Sequence, residues 1–508
     1  MAISRTYSAQ LTGLNPEIVT IEVDISIGLH SFSIVGLGDR SIDEAKDRIS
    51  AAIKNSGFVS PKQKNQKVII SLAPADVRKE GPSFDLGMAM AYLLASNDVF
   101  YNPDKKIFLG ELSLHGQVRR VSGILPILSK IKKLGYDEVY IPYHNREEAS
   151  LAKEINIYPV NTLLELIEHF QNKKQITKLD NDSFVIPSAS THEKDMSTVK
   201  GNVIAKRGLE VAAAGAHNVM LYGPPGTGKT LLAQCFRSIL PDLSYEESIE
   251  VTGIHSISNH NHTGLIQRPP FRSPHHTASY PSVVGGGAYP KPGEITLAHR
   301  GVLFMDEFPE FDSTVIEALR QPLEEQEITI SRAKGIVTFP AQTILIASLN
   351  PCPCGKAGTA DCKCSLKAVE NYKRKISGPV ADRIDIWLNV DKIDYTKLGN
   401  STNTEEDSYM IRQRVETARE VQKLRFQRHS ISKSYNSEIN SSDIDKIIKI
   451  KKSAKDILIG SSEKLKLSAR AFHRIIKVAR TIADLENCEE IQDSQILEAI
   501  QYRTKILN

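Results

Sequence analysis

The sequence predicts an α/β protein of three domains, with a parallel sheet in the second domain and helices in the third. Length is the first observation, because 508 residues exceed one compact core and give roughly three domains at about 150 residues each. Apolar strand-like runs alternate with helical periodicity as far as Val390, an order typical of mainly parallel sheets. Beyond that point only helical periodicity remains.

Composition and charge narrow the class of protein. Hydrophobic residues make up 41% of the chain and charged residues 24%, which excludes a mainly disordered chain. No run approaches the roughly 18 apolar residues of a membrane-spanning helix, and the first residues lack the apolar segment of an export signal. We therefore expect a cytoplasmic protein without a membrane partner. The formal net charge of +4 permits a nucleic-acid partner without indicating one.

The first domain is predicted at residues 1–175, followed by a linker at 176–197 that is rich in Lys, Asn, Asp, Ser and Thr. Alternating or continuous apolar runs predict its strands, and apolar residues at helical spacing predict its helices. The strands are expected at 18–27, 31–35, 68–72 and 138–142, and the helices at 43–56, 86–94 and 162–170.

The second domain is predicted at 198–392 and the third at 393–508, with a polar stretch between them. Strands of the second domain are expected at 218–222, 301–305 and 343–348, and helices of the third at 405–427, 442–451, 469–485 and 493–502. Each of the three strands leads directly into polar or glycine-rich sequence, so candidate functional residues follow strand ends.

A glycine-rich motif follows the first of these strands. Residues 223–230 fit G-x-x-x-x-G-K-[ST] between an apolar strand and a helix, the setting of a phosphate-binding loop. Backbone N–H groups of such a loop wrap phosphates, and the following helix N-terminus adds a favourable dipole. Lys229 is predicted to pair with the β- and γ-phosphates and Thr230 to bind Mg²⁺; the alternative is a chance glycine turn. The predicted nucleotide-binding residues are Gly223, Pro224, Pro225, Gly226, Thr227, Gly228, Lys229, Thr230 and Asp306.

Two carboxylates and an amide follow the other two strands. Asp306 and Glu307 end the run Val302–Met305, and we predict that Asp306 holds Mg²⁺ while Glu307 polarises the attacking water. Asn350 follows the third strand and is predicted to position the lytic water or to sense the γ-phosphate. A turn-forming Asn before Pro351 is the alternative.

Four of the six cysteines lie in one short segment: Cys352, Cys354, Cys362 and Cys364. A reducing cytoplasm argues against disulfides, whereas four thiolates suit a tetrahedral Zn²⁺. The C-x-C spacing is tighter than the common C-x-x-C. We predict a structural zinc site, with free thiols and a redox pair as the alternatives.

Three longer runs, taken with the nucleotide motifs, resemble a known family. They are FRSPHHT at 271–277, GGGAYPKPGE at 285–294 and NPCPCG at 350–355. The chain is similar over nearly its whole length to the YifB/ComM family of AAA+ ATPases, which is related to the motor subunit of magnesium chelatase. The resemblance implies a P-loop AAA+ core with a parallel sheet, a helical lid, ATP and Mg²⁺ as cofactors, and a homo-hexameric ring with ATP at subunit interfaces.

The resemblance also gives roles to two arginines that the pattern alone leaves as solvated or locally paired residues. Arg383 matches the arginine finger that reaches into the neighbour's site, and Arg470 matches the sensor-2 arginine of the lid. The segment 199–202 resembles the adenine side of the pocket.

Two hairpins are expected in the second domain. One fits between Thr230 and Asp306, and the other is predicted at 327–341 by its alternating pattern, with Arg332 and Lys334 at its turn. In related motors such hairpins face the central pore, where copies around a ring would concentrate cations on single-stranded or branched DNA. A solvated hairpin tip is the alternative.

The first domain resembles the α+β catalytic domain of Lon protease at 80–83, 110–116 and 122–123. Ser83 matches the nucleophile, but the position of the activating lysine, counted from Gly110, holds Leu125. Leucine cannot accept a proton, so we expect no Ser–Lys proteolysis. Ser83 is then interpreted as a cap for the helix beginning near Phe84.

The resemblance implies an ATP-driven DNA motor with branch-migration or helicase activity, acting in recombination of incoming DNA during natural transformation. A metal-insertion motor like magnesium chelatase is one alternative, which we expect the Lon-like domain to disfavour. A protein remodeller or binding module with an ATP-dependent switch is another.

Overall fold

The computed structural model describes residues 2–36, 38–75, 79, 81–180, 194–258, 264–287, 290–332, 335–357, 361–376, 380–391 and 405–503. The chain forms two compact units, Met1–Ser188 with Tyr245–Ile266, and Ala189–Ser244 with Gln267–Asn508. A segment from inside the predicted second domain thus belongs to the first unit, while the second unit combines that domain with the helical one.

The strands of the described residues are, in chain order, β1 (Ala2–Thr12), β2 (Asn15–Ile27), β3 (Ser31–Val35), β4 (Gln66–Ala73), β5 (Lys106–Phe108), β6 (Glu111–Leu112), β7 (Val118–Arg119), β8 (Glu138–Pro142), β9 (Asn156–Val160), β10 (Val219–Tyr222), β11 (Phe271–Arg272), β12 (Gly285–Gly286), β13 (Lys291–Pro292), β14 (Val302–Met305), β15 (Glu327–Arg332), β16 (Gly335–Pro340), β17 (Ile344–Leu349) and β18 (Ile386–Asn389).

The α-helices of the described residues are α1 (Arg40–Asn55), α2 (Asp85–Ala95), α3 (Ile124–Ile131), α4 (Arg146–Ala149), α5 (Leu163–Phe170), α6 (Val203–Gly215), α7 (Lys229–Phe236), α8 (Tyr245–Ile257), α9 (Tyr280–Val284), α10 (Glu294–Leu297), α11 (Ser313–Ala318), α12 (Arg320–Glu325), α13 (Leu366–Ile376), α14 (Ser408–Arg428), α15 (Ile444–Ile447), α16 (Lys452–Lys464), α17 (Ala469–Leu485) and α18 (Asp493–Gln501).

The first unit is built on a seven-stranded mixed sheet of order β3-β4-β2-β1-β5-β8-β9. Its longest pairing is the antiparallel hairpin of β1 and β2. Sequence patterns did not predict β1, because its inward face carries hydroxyl groups: Ser4, Thr6 and Ser8 are buried. These hydroxyls donate hydrogen bonds to the carbonyl oxygens of Ala91, Gly87 and Phe108, so the buried polar atoms are satisfied.

Leu125 and Ser83 both lie in the first unit. Leu125 is fully buried in α3. The predicted cap is wrong: α2 begins after Phe84, and Ser83 makes no side-chain cap because it lies within the short 3-10 turn Pro82–Phe84.

Helix α8 packs on α3, where an added Cβ at Gly253 would lie 3.0 Å from Pro126 Cγ.

The second unit contains a five-stranded sheet of order β11-β14-β17-β10-β18, and all its neighbouring strands are parallel. The three predicted strands correspond to β10, β14 and β17. Their side chains are almost all buried, as expected for strands covered on both faces. Because the strands share one direction, the sequences that follow β10, β14 and β17 lie at the same edge of the sheet.

Helices of the C-terminal region complete this unit. Helices α14 and α17 pack on α6, and His217 at the base of the sheet contacts both regions. Its Nδ1 lies 3.3 Å from Asp385 Oδ2, and its Nε2 lies 2.8 Å from Thr481 Oγ1 of α17. Arg474 of the same helix lies 3.5 Å from Asp385 Oδ1. These contacts tie the helical region to the parallel sheet.

The α/β fold class, with a parallel core sheet and a helical C-terminal region, is confirmed. The hairpin predicted at 327–341 is the antiparallel pair of β15 and β16, and a shorter hairpin of β12 and β13 lies between Thr230 and Asp306. Among the described helices, none is both long enough and apolar enough to cross a membrane.

The Asp385 carboxylate makes the stability of this unit depend on pH. Burial would raise the pKa of Asp385, but the His217 hydrogen bond and the charges of Arg474 and Lys477 lower it from 3.8 to about 2. A lowered pKa in the folded state stabilises the fold above the unfolded value, and this contribution is lost as pH falls from 3.8 towards 2. We expect Asp385→Asn to lower the free energy of unfolding at neutral pH by about 2 kcal/mol.

Denaturant titrations of both proteins across pH would measure this difference. The free energies of unfolding of the two proteins should converge at the acid end of the range, because the wild-type carboxylate is then protonated as well. A difference that stays constant with pH would contradict the assignment.

Candidate functional site

The loop between β10 and α7 has the backbone that phosphate binding requires. Gly226 and Gly228 have φ values of 78° and 91°, which side-chain-bearing residues rarely adopt. An added Cβ at Gly223 would lie 2.2 Å from the carbonyl oxygen of Val390, so only glycine fits beside the backbone that follows β18. The loop closes on itself through a 3.0 Å hydrogen bond from Thr227 Oγ1 to the Pro224 carbonyl.

Lys229 lies buried under this loop. Its Nζ donates to the carbonyl oxygens of Gly223 at 2.6 Å and Pro224 at 2.8 Å, and to Asn350 Oδ1 at 3.0 Å. Burial lowers the pKa of Lys229, and the charges of Asp306 and Glu307 oppose this shift. The ammonium group is thus positioned where a phosphate on the loop would contact it.

The predicted magnesium ligands lie together at the carboxyl end of β14. Thr230 Oγ1 donates to Asp306 Oδ2 at 2.9 Å, and the hydroxyl of Ser348 donates to Asp306 Oδ1. A hydroxyl beside a carboxylate, next to a phosphate loop, is a donor set that suits Mg²⁺. These residues therefore fit an ATP–Mg²⁺ complex, whose metal would be held by Thr230 and Asp306.

Ser348 is a site residue that sequence reasoning missed. Besides its bond to Asp306, its Oγ accepts a 3.2 Å hydrogen bond from the backbone N–H of Glu307. It therefore holds both acidic residues at the edge of the sheet. The available signal was one polar residue near the end of the otherwise apolar strand β17.

Glu307 projects from the sheet edge, and its side chain is 53% exposed. Its φ of 51° turns the chain sharply after β14. His276 Nδ1 lies 3.6 Å from Glu307 Oε2, and the rings of His275 and His276 are 4.2 Å apart. The FRSPHHT run thus brings a histidine to the predicted catalytic carboxylate, a contact that sequence reasoning did not assign.

Asn350 has two partners at this edge. Its amide oxygen accepts from Lys229, and its backbone N–H donates to Tyr372 Oη at 3.3 Å. Burial raises the pKa of Tyr372 to about 12, so its hydroxyl stays neutral. Asn350 is thereby held between the P-loop lysine and α13.

Arg383 lies at the opposite edge of the sheet. It precedes β18, which runs parallel to β10 with Val219 beside Ile386 and Tyr222 beside Asn389. The P-loop follows the carboxyl ends of these strands, so Arg383 stands near their amino ends. Its side chain is 5% exposed and forms an ion pair with Glu324.

Arg470 belongs to the same edge as Arg383. It is exposed and lies one helical turn before Arg474, whose Nη1 donates to the Ile384 carbonyl at 3.4 Å. Burial lowers the pKa of Arg474, and the charges of Arg383 and Arg470 add to the shift, as expected for three neighbouring cations. The chain thus brings Lys229, Thr230, Asp306, Glu307 and Asn350 together and leaves both predicted arginines apart from them.

The predicted zinc ligands and the predicted hairpin cations lie in two further segments. The four cysteine sulfurs, from Cys352 to Cys364, all lie within 4.8 Å of one another. Arg332 ends strand β15, but its side chain and the whole of Lys334 lie outside the described residues.

Comparisons with known proteins agree with this architecture. A family model described as "Magnesium chelatase, subunit ChlI" matches residues 195–398. A second, "Subunit ChlI of Mg-chelatase", matches 21–145, and a third, "Magnesium chelatase, subunit ChlI C-terminal", matches 405–503. Fold and site together define a magnesium-chelatase-like P-loop ATPase.

Full-length relatives specify the family further. The Competence protein ComM of Haemophilus influenzae is 38% identical over 100% of this chain and 98% of its own. A protein of Escherichia coli, YifB, is 38% identical over 99% of this chain and 97% of its own. The chain belongs to the YifB/ComM family of magnesium-chelatase-like AAA+ proteins, and this membership implies use of ATP and Mg²⁺ and assembly into oligomers.

We expected the first domain to disfavour a chelatase-like function, yet residues 21–145 match a model that is itself described by the ChlI subunit. Part of the chain is also similar to the DNA repair protein RadA of Streptococcus pneumoniae, 34% identical over 92 residues, which are 18% of this chain and 22% of that protein.

Substitutions of Glu307 and Lys229 should cause different defects, one in ATP hydrolysis and the other in ATP binding. Glu307→Gln removes the carboxylate that is predicted to polarise water and should lower kcat by about 10²- to 10⁴-fold while ATP still binds. Lys229→Ala removes the buried cation beneath the phosphate loop and should abolish binding as well. Steady-state hydrolysis and titration with a fluorescent ATP analogue would measure both effects. Hydrolysis at the wild-type rate by Glu307→Gln would refute its assignment as the catalytic carboxylate.

Proposed function

We propose that this protein is a homo-hexameric motor of the cytoplasm that hydrolyses ATP to drive branch migration or unwinding of DNA during recombination of incoming DNA. ATP is bound by the loop 223–230 with Lys229, Mg²⁺ is held by Thr230 and Asp306, and Glu307 polarises the attacking water. Asn350 senses the γ-phosphate through its contact with Lys229. Zinc at the four cysteines has a structural role, because four thiolates fill its tetrahedral shell and leave no open position for a reactant.

The distribution of the arginines supports the ring. Arg383 and Arg470 lie at the edge opposite the P-loop of their own chain, so a rigid subunit cannot bring them to its own phosphates. A neighbouring subunit packed head to tail presents its arginine edge to this P-loop, and repetition of that contact closes a ring. Arg383 would exchange the Glu324 carboxylate for phosphate oxygens, stabilising transition-state charge from the neighbour.

Support for DNA as the substrate comes from the relatives and from the hairpin. One full-length relative carries the name Competence protein ComM, and partial similarity extends to a protein named for DNA repair. The hairpin of β15 and β16 bears Arg332 near its turn, and copies of this turn around a ring would give a basic channel that contacts the DNA backbone.

A magnesium-chelatase-like insertion or protein-remodelling ATPase is the second candidate. This function is favoured by the three family models that match the chain, because each is described by the ChlI subunit of magnesium chelatase. Both functions use the same ATP site, so only the response to DNA separates them.

Mixed assemblies test whether the arginines act between subunits. Lys229→Ala and Arg383→Ala are each expected to be inactive, but their co-assembly contains interfaces where an intact P-loop meets an intact arginine. With random mixing of equal amounts, roughly a quarter of the interfaces and of the ATPase activity should return. The assay is ATP hydrolysis by co-expressed, differently tagged subunits.

The matched control is the mixture of Lys229→Ala with Glu307→Gln. Both residues belong to the same edge, so every site in that assembly keeps one defect and no recovery is expected. If the Arg383→Ala mixture is as inactive as this control, the arginine does not act in the neighbouring site.

DNA dependence is tested with the purified full chain, ATP and Mg²⁺. We expect single-stranded and forked DNA to stimulate hydrolysis and a synthetic four-way junction to be unwound, whereas Glu307→Gln binds the junction without unwinding it. Joint replacement of Arg332 and Lys334 by alanine should remove stimulation while leaving hydrolysis without DNA unchanged. The DNA proposal fails if DNA neither binds nor changes the rate, and the chelatase-like or remodelling function then remains.

A further inference from the structure

The four-cysteine cluster has the dimensions of a tetrahedral metal site. Cys352 Sγ lies 3.4 Å from Cys354 Sγ and 3.8 Å from Cys362 Sγ, and the last two sulfurs are 3.7 Å apart. A zinc ion with Zn–S bonds of about 2.3 Å sets its thiolates about 3.8 Å from one another. Disulfide sulfurs lie about 2 Å apart, so the observed spacings correspond to ligands around a common centre.

Burial and hydrogen bonding also indicate that the four cysteines form one site, rather than four thiols that lie together by chance. Cys352 is fully buried, and the backbone N–H groups of Lys356 and Lys363 donate to the sulfur of Cys354. Thiols are weak hydrogen-bond partners for one another, so contacts among the four thiols stabilise this arrangement only slightly. A divalent cation would stabilise it by binding all four as thiolates.

The cluster is joined to the ATP site on two sides. Cys352 follows Asn350 by two positions, and Asn350 accepts the hydrogen bond from Lys229. Gly355 closes a turn through its N–H to the Cys352 carbonyl at 2.9 Å and lies against the P-loop. At its φ of +75°, an added Cβ would be 2.6 Å from Pro225 Cδ.

We propose that the four thiolates bind one Zn²⁺, and that this site holds Asn350 and the P-loop in register so that zinc occupancy sets the affinity for ATP. Zinc binding displaces the thiol protons to solvent and leaves a four-thiolate complex. The metal then fixes the turn at Gly355 against Pro225 and fixes the position of Asn350 beside Lys229. The second half of this proposal rests on the proposed ATPase function, whereas the zinc site itself does not.

The test measures zinc and nucleotide binding on the same preparations of the full chain. Elemental analysis after exhaustive dialysis should find about one zinc per wild-type chain. Cys354→Ser should lose the zinc, and its Kd for a fluorescent ATP analogue should rise about tenfold, the size of effect expected when about one hydrogen bond at the site is lost. The control is Cys488→Ser, a half-buried cysteine outside the cluster, which should keep both zinc and affinity.

Two further variants separate the parts of the proposal. Gly355→Ala should keep its zinc but bind the ATP analogue more weakly, because its Cβ would push against Pro225. Lys229→Ala should keep its zinc and lose the nucleotide.

A folded, zinc-free wild-type protein would overturn the metal site. A zinc-free Cys354→Ser variant with unchanged ATP affinity would overturn the coupling. A zinc-loaded wild-type protein that binds no ATP would instead overturn the proposed ATPase function and leave the zinc site standing.

Discussion

The parallel alignment of β10, β14 and β17 is the constraint on which the site depends. Strands that share one direction end at one edge, so residues far apart in the chain meet there. Lys229 and Asn350 are joined by a 3.0 Å hydrogen bond, and Thr230 and Asp306 by one of 2.9 Å. Because these bonds join separate strand ends, a shift of one strand would separate Lys229 from Asn350 or Thr230 from Asp306.

The same alignment leaves Arg383 and Arg470 apart from Lys229 and the acidic residues. Arg383 stands before β18 and therefore at the amino ends of the strands, away from Lys229. Its charge is compensated by the Glu324 carboxylate, as a nearly buried guanidinium requires. In the proposed ring, this ion pair would open when Arg383 meets the phosphates bound by a neighbouring subunit.

Sequence patterns predicted the strands that carry the site, because buried parallel strands are continuous apolar runs. They missed β1, whose buried face carries Ser4, Thr6 and Ser8 in place of apolar side chains. They also missed Ser348, since its role lies in contacts to Asp306 and Glu307 that the chain order does not reveal. Residues 245–266 belong to the first unit, which sequence patterns did not predict, because a local pattern does not show against which core a segment packs.

The sequence by itself determined the class of the protein. The glycine-rich loop, the acidic pair after an apolar strand and the long family-specific runs are local in the chain, and each depends on the residues and their spacing. Only the tertiary structure decided which groups lie together, because the parallel strands bring Lys229, Asp306 and Asn350 to one edge of the sheet and leave Arg383 at the other. It also brought the cysteines of two C-x-C pairs to tetrahedral spacing next to Pro225, since distances between segments are set by packing.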